Sequence, residues 1–353
     1  MTIIEKVKTI TFIIVTYNEE QYIERALMSA IQQDYPKDLY EIIVVDGMSH
    51  DKTLEIIKRI VAEHPDRRIR IFDNPKKILS AGWNIAIKEA WGEVVVRIDA
   101  HAYAAPDFVS KSVEVLNKTP DAVCVGGPYA STIGADSLMG TAIASALSCP
   151  FGVGNSKFRY SHKAQYVETV PHGAYRKEIF EKVKYFDETL RRNQDIDMHA
   201  RIRDAGGKFF LTPEIKSWYC SRTNLRKVIK QMFANGYWNI LTFMKNPAAL
   251  SMRHLVPFVF LLFLIAGSFT ALAGGWSWMI WRVIFGLYFL LNVVFSLKVG
   301  ISSKIVLLPI LLIVFPVIHI SYGCGSLYAL KDVRKVNDSI LTLSQEVAIK
   351  PLK

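Results

Sequence analysis

The sequence predicts an α/β domain on a mostly parallel sheet, followed by a helical membrane segment. Three observations carry this. Through residues 1–220, short β-branched runs alternate with helical patterns, the order expected of a sheet with helices on both faces. Asp46, Asp99 and His101 fall where such runs stop, and open α/β sheets bind ligands at the carboxyl ends of their strands. From Leu255 to Leu330 only Arg282, Lys298 and Lys304 are charged. That stretch is too long for a buried core helix and suits repeated bilayer crossing.

Ile10-Thr-Phe-Ile-Ile-Val-Thr16 reads as a buried strand that stops at Tyr17-Asn18-Glu19-Glu20, and a helix is expected over residues 21–32. Glu41-Ile-Ile-Val-Val45 is a second strand. It ends at Asp46-Gly47-Met48-Ser49-His50-Asp51-Lys52-Thr53, and a helix then runs to Ala62. Arg68-Ile-Arg-Ile-Phe72 is a third strand, residues 80–90 a helix, and Glu93-Val-Val-Val-Arg-Ile98 a fourth strand. Residues 139–148 read as an apolar helix feeding the glycine-rich loop Phe151-Gly-Val-Gly-Asn155, either a lid or an ordinary insertion. The acidic stretch Asp187–His199 precedes a helix expected over residues 196–206. Trp218 to Trp238 reads as one helix, with Val228, Met232 and Phe233 on an apolar side and Arg226, Lys227 and Lys230 reaching lipid headgroups.

The expected organisation is therefore a catalytic domain (1–220), interfacial helices (221–252), a membrane region of about three helices (253–330) and a basic tail (331–353). The apolar segments are residues 255–274, 276–297 and 305–330. Trp276, Trp278 and Trp281 suit an interfacial belt, with Arg282 snorkelling beside them. A third crossing would put Lys331, Arg334 and Lys335 outside, against the positive-inside rule. Pro309 and Pro316 could instead fold that segment back, but 26 residues is short for a hairpin and three crossings are expected.

A formal charge of +11 suits nucleic acid, anionic lipid or phosphate-bearing substrates, and the apolar tail favours the membrane over nucleic acid. Cys124, Cys149, Cys220 and Cys324 lack the spacing of a disulfide framework or zinc site. The N-terminal apolar run turns polar after Thr16 and is no signal peptide, so a multi-pass cell-membrane protein with a cytoplasmic catalytic domain is expected. Homo-oligomerisation is left open.

Four motifs in order give the pattern a family likeness. Thr16-Tyr17-Asn18-Glu19, Asp46 to Thr53, Arg97-Ile98-Asp99-Ala100-His101 and Gln194-Asp195 resemble those of family 2 glycosyltransferases, the inverting type with the GT-A nucleotide-diphosphosugar fold. The Asp-Ala-His form, the Phe151 loop and His319-Ile-Ser-Tyr-Gly323 resemble a narrower group, that of the succinoglycan glucosyltransferase ExoA and related polysaccharide enzymes. The resemblance covers roughly residues 9–237.

The resemblance implies that the first two motifs hold a UDP-sugar, with Asp46 on the base, Glu19 near base or ribose, and Thr16 and Asp99 beside them. The alternatives are a turn for Asp46, a helix cap for Asp51, a plain strand end for Thr16 and a helix cap for Asp195. Asp99 and His101 would bind a divalent cation, and an imidazole in place of the family's second aspartate favours Mn2+ over Mg2+. His172 would join the metal or diphosphate, or sit at a strand end on the surface. Arg176 would pair with Glu178 or Asp187. Asp195 would be the base that takes the acceptor hydroxyl's proton, with Gln194 replacing the usual glutamate. Arg159, Arg222, Gln231 and Trp238 are candidates for the diphosphate or acceptor. Gln231 lacks the Arg-Trp that completes the signature of processive synthases, which favours single transfer. The expected reaction moves one hexose to a polyprenyl-linked saccharide for exopolysaccharide or surface glycan synthesis. Direct transfer to polyprenyl phosphate and a non-catalytic membrane scaffold are the alternatives.

Overall fold

The computed structural model describes residues 8–133, 137–154, 156–221, 224–273 and 275–333. They form two compact units. The first contains Met1–Thr132 and Lys157–Cys220, the second Ile133–Ser156 and Ser221–Lys353. The insertion at residues 133–156 thus groups with the C-terminal helices, although it interrupts the catalytic domain in sequence.

The first unit opens with β1 (Ile10–Thr16), α1 (Ile23–Ile31), β2 (Tyr40–Asp46), α2 (Thr53–Glu63), β3 (Ile69–Asp73), α3 (Leu79–Glu89) and β4 (Val94–Asp99). All seven residues of β1 and of β2 are buried, which is why these strands read as continuous apolar runs instead of alternating ones. Then come β5 (Ala102–Ala104), α4 (Phe108–Lys118), β6 (Ala122–Gly126) and β7 (Tyr129–Ile133). Within the second unit's insertion lie α5 (Leu138–Leu147) and α6 (Pro150–Val153). The first unit resumes with β8 (Gln165–Val167), β9 (Gly173–Arg176), α7 (Glu178–Lys182), α8 (Gln194–Asp204), β10 (Lys208–Leu211) and β11 (Ser217–Ser221).

The main sheet has the order β3-β2-β1-β4-β9-β6-β10-β8, and a small sheet the order β5-β11-β7. The four strands from β3 to β4 are parallel, but β9 enters antiparallel to both β4 and β6. The sheet is therefore mixed beyond β4. Helices do cover both faces. One core gathers Ile23, Leu27, Ile57, Ile60, Phe108 and Leu116 from α1, α2 and α4 against the sheet. The other gathers Trp83, Ile87, Phe180, Met198 and Ile202 from α3, α7 and α8. Register places Thr16 beside Asp46, Val15 beside Asp99 and Asp46 beside Asp73, so the carboxyl ends of four strands meet in one row.

The second unit continues with α9 (Leu225–Lys245), α10 (Val256–Ala273), α11 (Trp276–Ser302) and α12 (Leu308–Ala329). The single helix expected from Trp218 is corrected: Ser217–Ser221 is a strand, and the helix begins at Leu225 after the cap Asn224. Nor does the apolar side of α9 simply rest on lipid. It packs on α12, where a Cβ on Gly236 would lie 1.9 Å from the Tyr322 carbonyl oxygen and one on Gly325 1.9 Å from that of Phe233. Val228 and Met232 join a core with Ile143, Leu147, Leu311 and Phe315.

Two helical stretches, Trp276–Ser302 and Ile305–Ala329, are long and apolar enough to cross a membrane, while α10 is shorter. Trp278, Trp281 and Phe285 stack in sequence along α11, and Trp281 covers Gly267 of α10. The Arg282 guanidinium lies over the Trp278 ring. The third apolar segment is one continuous helix despite Pro316, so it does not fold back on itself. Proline removes the donor that would reach the carbonyl four residues earlier. Here the Asn292 side chain of α11 donates to that carbonyl, Leu312 O, at 3.0 Å. Arg334 and Lys335, and with them the charge argument about the tail, lie outside the described residues.

Candidate active site

The carboxyl ends of β1, β2, β3 and β4 open into a cleft of about 520 Å³ in the first unit. Its lining includes Thr16, Glu19, Lys76, Lys77, Asp99 and His101, with Arg191 contributed by the loop before α8.

Two of the motifs build one wall by bonding to each other. Gly47 N donates to the Thr16 carbonyl, Asn18 N to Ser49 Oγ, and His50 N to Asn18 Oδ1. Glu19 N donates to Thr53 Oγ1, Glu20 N to Asp51 Oδ2, and Lys52 N to Glu20 Oε2. Asp46 sits beneath. Its oxygens accept from Ser49 N at 2.9 Å and from the Ser49 hydroxyl at 2.6 Å, and its side chain is not part of the cleft lining. The structure thus gives Asp46 the turn-forming arrangement, and Asp51 likewise accepts from both the backbone and the hydroxyl of Thr53. Asn18 and Met48 hold left-handed backbone (φ 54° and 61°). Asparagine tolerates this locally, while methionine stores strain, a feature that collects at functional loops.

Thr16 is buried at the cleft wall, and its hydroxyl finds no hydrogen-bond partner among the described residues. Glu19 Oε1 lies 3.0 Å from His101 Nδ1, and the His101 ring meets Tyr219 edge-on. Asp99 Oδ2 faces His172 Nε2 at 3.8 Å, and His172 Nδ1 is 2.9 Å from Ser217 Oγ. His172 is 1% exposed, which corrects the surface alternative and sets it behind Asp99. Burial works against the Asp99 charge. The facing His172 imidazole outweighs it with help from His101 and Arg97, and the carboxyl is held well below the usual carboxylate range. Asp99 is therefore ionised at neutral pH.

Among the described residues, no three His, Cys, Asp or Glu side chains are arranged to hold an ion. Donors at the cleft include the carboxylates of Asp99 and Glu19 and the His101 ring, whose Nδ1 is engaged by Glu19. That set fits a cation whose remaining ligands come from diphosphate oxygens and water, and a carboxylate with an imidazole admits Mn2+.

Asp195 lies in the first turn of α8, which starts two residues earlier than expected because Asn193 (φ 59°) turns the chain ahead of it. Asp195 is thus inside the helix instead of capping it. Its Oδ1 accepts from Ile196 N at 2.9 Å, and Oδ2 stands 3.9 Å from Arg97 Nη2. The carboxylate remains partly open to solvent. Arg176 does not pair with Glu178 or Asp187. It donates to the Ala122 and Leu116 carbonyls and ties β9 to its neighbours.

The diphosphate or acceptor candidates are divided between the two units. Arg159 lies over the ring of Phe158 in the first unit. Gln231 and Trp238 belong to α9. Trp238 meets Tyr237 edge-on and packs against the cluster of Ile240, Leu241 and Ala329, and Gln231 Oε1 is buried with no hydrogen-bond partner among the described residues. Arg222 lies outside the described residues.

Three cleft cations were missed from sequence: Lys76, Lys77 and Arg191. Lys76 pairs with Glu188 at 2.6 Å, and Lys77 Nζ lies 3.3 Å from His50 Nε2. A basic pair immediately past the end of a parallel strand was an available signal.

The glycosyl transferase family 2 model matches residues 11–186. A curated relative, the dolichyl N-acetyl-α-D-glucosaminyl phosphate 3-β-D-2,3-diacetamido-2,3-dideoxy-β-D-glucuronosyltransferase of Methanococcus voltae, is 32% identical over 333 residues, 89% of this chain and 95% of the relative. The succinoglycan biosynthesis protein ExoA of Rhizobium meliloti (strain 1021) is 31% identical over 243 residues, covering 68% of this chain and 72% of ExoA. Among solved structures, the mannosyltransferase PcManGT from Pyrobaculum calidifontis, in complex with GDP-Man and Mn2+, shares the fold at TM-score 0.61 and 19% identity, over 90% of this chain and 88% of that one. With its mixed GT-A sheet, its cleft at the strand ends and a relative matched along nearly its whole length, the chain is a glycosyltransferase and belongs to family 2.

Proposed function

We propose that this glycosyltransferase moves a single hexose, with inversion, from a UDP-sugar to a polyprenyl-linked saccharide at the cytoplasmic face of a membrane. The observation that carries the acceptor class is the Methanococcus voltae relative, whose name gives a dolichyl-phosphate-linked sugar as acceptor and whose match covers 89% of this chain. Succinoglycan biosynthesis by ExoA supports the same kind of product.

In this reading the cleft holds the donor. Thr16 and Glu19 face the nucleotide, while Asp46 holds the loop that shapes the pocket. Lys76, Lys77 and Arg191 oppose the diphosphate charge. Asp99 and His101 hold the divalent cation, which when bound neutralises charge on the departing diphosphate. Asp195 accepts the proton of the acceptor hydroxyl as its oxygen bonds to C1 of the sugar. The bond from C1 to the diphosphate oxygen breaks on the opposite side, and UDP leaves with that electron pair. The two helices long enough to span a bilayer hold the domain where such an acceptor resides.

The test uses membranes containing the full chain, labelled UDP-glucose, UDP-galactose and UDP-N-acetylglucosamine in turn, Mn2+ and a lipid extract. Label should enter the lipid-extractable fraction, and Asp195→Asn should slow this by roughly 100-fold or more, the scale of lost general base help. Transfer to bare polyprenyl phosphate alone would replace the saccharide acceptor with the lipid phosphate. Neither transfer nor hydrolysis with any nucleotide donor would overturn the reading.

A further inference from the structure

Arg97 is a buried charge that the reaction described above leaves unused. It precedes Asp99 by two residues on β4, so both side chains leave the same face of the sheet. Its residue is 6% exposed, and its guanidinium lies between the rings of Trp83 (5.1 Å) and Phe186 (5.6 Å). Nη2 donates to the Pro171 carbonyl at 3.2 Å. Nε and Nη1 have no hydrogen-bond partner among the described residues. A guanidinium so enclosed requires a counter-charge. Arginine keeps its charge in proteins, so the cation is retained.

The carboxylate nearest to Arg97 is Asp195, Oδ2 to Nη2 at 3.9 Å. Ile196 N fixes the other oxygen of Asp195. Two anchors at two oxygens define the plane of a carboxylate, and the aromatic walls fix the arginine that supplies one of them. Contacts of this kind commonly lengthen in the absence of substrate and tighten in the reacting complex.

We propose that Arg97 is the positioning residue for Asp195, holding the carboxylate in the orientation that receives the acceptor proton. The inference rests on Asp195 being the base. The simpler role for Arg97 is structural, bracing the Pro171 segment between two rings, and the two roles differ in how Arg97 and Asp195 combine.

The experiment is a pair of double-mutant cycles on the full-length protein with Arg97→Met, Asp195→Asn and the double variant. Arg97→Lys replaces Arg97→Met if the latter fails to fold. In transfer assays with the active UDP-sugar, Arg97→Met should lower kcat by about 10- to 100-fold, the scale of a misplaced catalytic group. KM for the donor should stay within about two-fold, because uniform binding is untouched. In the Asp195→Asn background the same change should cost nothing further, since the group it positions is gone. Full additive loss on top of a slow Asp195→Asn overturns the inference and leaves the base reading intact. Wild-type kcat in Asp195→Asn overturns the base reading, and the role of Arg97 with it. The melting cycle needs no donor. The double variant should melt above the value expected from the two single shifts, because Asp195→Asn alone leaves a cation facing an amide. Additive shifts there also overturn the inference.

Discussion

Replacing Asn292 by leucine should destabilise the helical unit, and replacing Pro316 by alanine should cancel the damage. Leu312 O lacks its ordinary backbone donor because residue 316 is proline, and Asn292 Nδ2 supplies the missing hydrogen bond at 3.0 Å. Asn292 is 3% exposed, so water cannot take over. Leucine keeps the branching of asparagine at Cγ, though it is larger, and leaves the carbonyl bare, at a cost of about 1–3 kcal/mol in a buried setting. Side-chain bonds between membrane helices are worth nearer 0.6–1.7 kcal/mol, so about 1–2 kcal/mol is expected. Pro316→Ala restores an N–H aimed at the same carbonyl from within α12. In that background Asn292→Leu should cost close to nothing, a coupling of about 1–2 kcal/mol. The assay is thermal unfolding of the four proteins in detergent, where Asn292→Leu alone should lower the midpoint by a few degrees. Equal losses from Asn292→Leu in the unaltered and the Pro316→Ala backgrounds would refute the reasoning, because the side chain would then be stabilising something other than that carbonyl.

Other outcomes are expected. His172→Gln should weaken UDP binding in the presence of Mn2+ by roughly 10- to 100-fold, the range for losing a side chain that orients a ligating carboxylate, and calorimetry with UDP tests it; affinity within two-fold would remove His172 from the site. Gly236→Val should lower the melting midpoint through a cost of about 1–3 kcal/mol or more, because the Tyr322 carbonyl cannot move aside cheaply, and an unchanged midpoint would mean that α9 and α12 separate freely. Burial, with the charges of Arg97 and Arg203, pushes the His199 imidazole well below its ordinary 6.5. Below pH about 6.5 the unfolded chain then binds a proton the folded one refuses, so stability should fall as pH falls, by up to about 1.4 kcal/mol per unit. Melting midpoints between pH 7.5 and 5.5 should decline less steeply in His199→Gln than in the unaltered protein, and parallel declines would show that another group titrates.

The first four strands were legible to within about a residue: β1 and β2 are nearly unbroken apolar runs, buried throughout and ended by polar loops, β4 opens on three buried valines, and the half-buried β3 alternates isoleucine with arginine at the strand period. The antiparallel entry of β9 was not legible. Gly173–Arg176 is four residues long, too short for a pattern, and its direction depends on partners far along the chain. Trp218-Tyr-Cys-Ser221 runs without a breaker into a basic helical pattern, so only its pairing with Ala102–Ala104 reveals a strand. At the site, Asp99 and His101 were readable from their place at a strand end. Arg97 was not, since an arginine in a strand reads as a surface charge until Trp83 and Phe186 are brought around it. The seam between α9 and α12 was hidden likewise, because Gly236 and Gly325 gain meaning only once the two helices touch.

The cross-bonded loops after β1 and β2 change what a mutational scan of this chain would mean. Asn18, Ser49, Asp51 and Thr53 each spend a side-chain oxygen on a backbone N–H of the opposite loop. Their identities answer to a partner strand segment and need no sugar nucleotide to account for them. Alanine at any one of them would slow transfer by letting the pocket wall lose its shape, and the loss would look catalytic in a single-variant assay. The two loops are in effect one inherited part: a change tolerated on one side demands a matching change on the other, so the motifs should diverge as a pair.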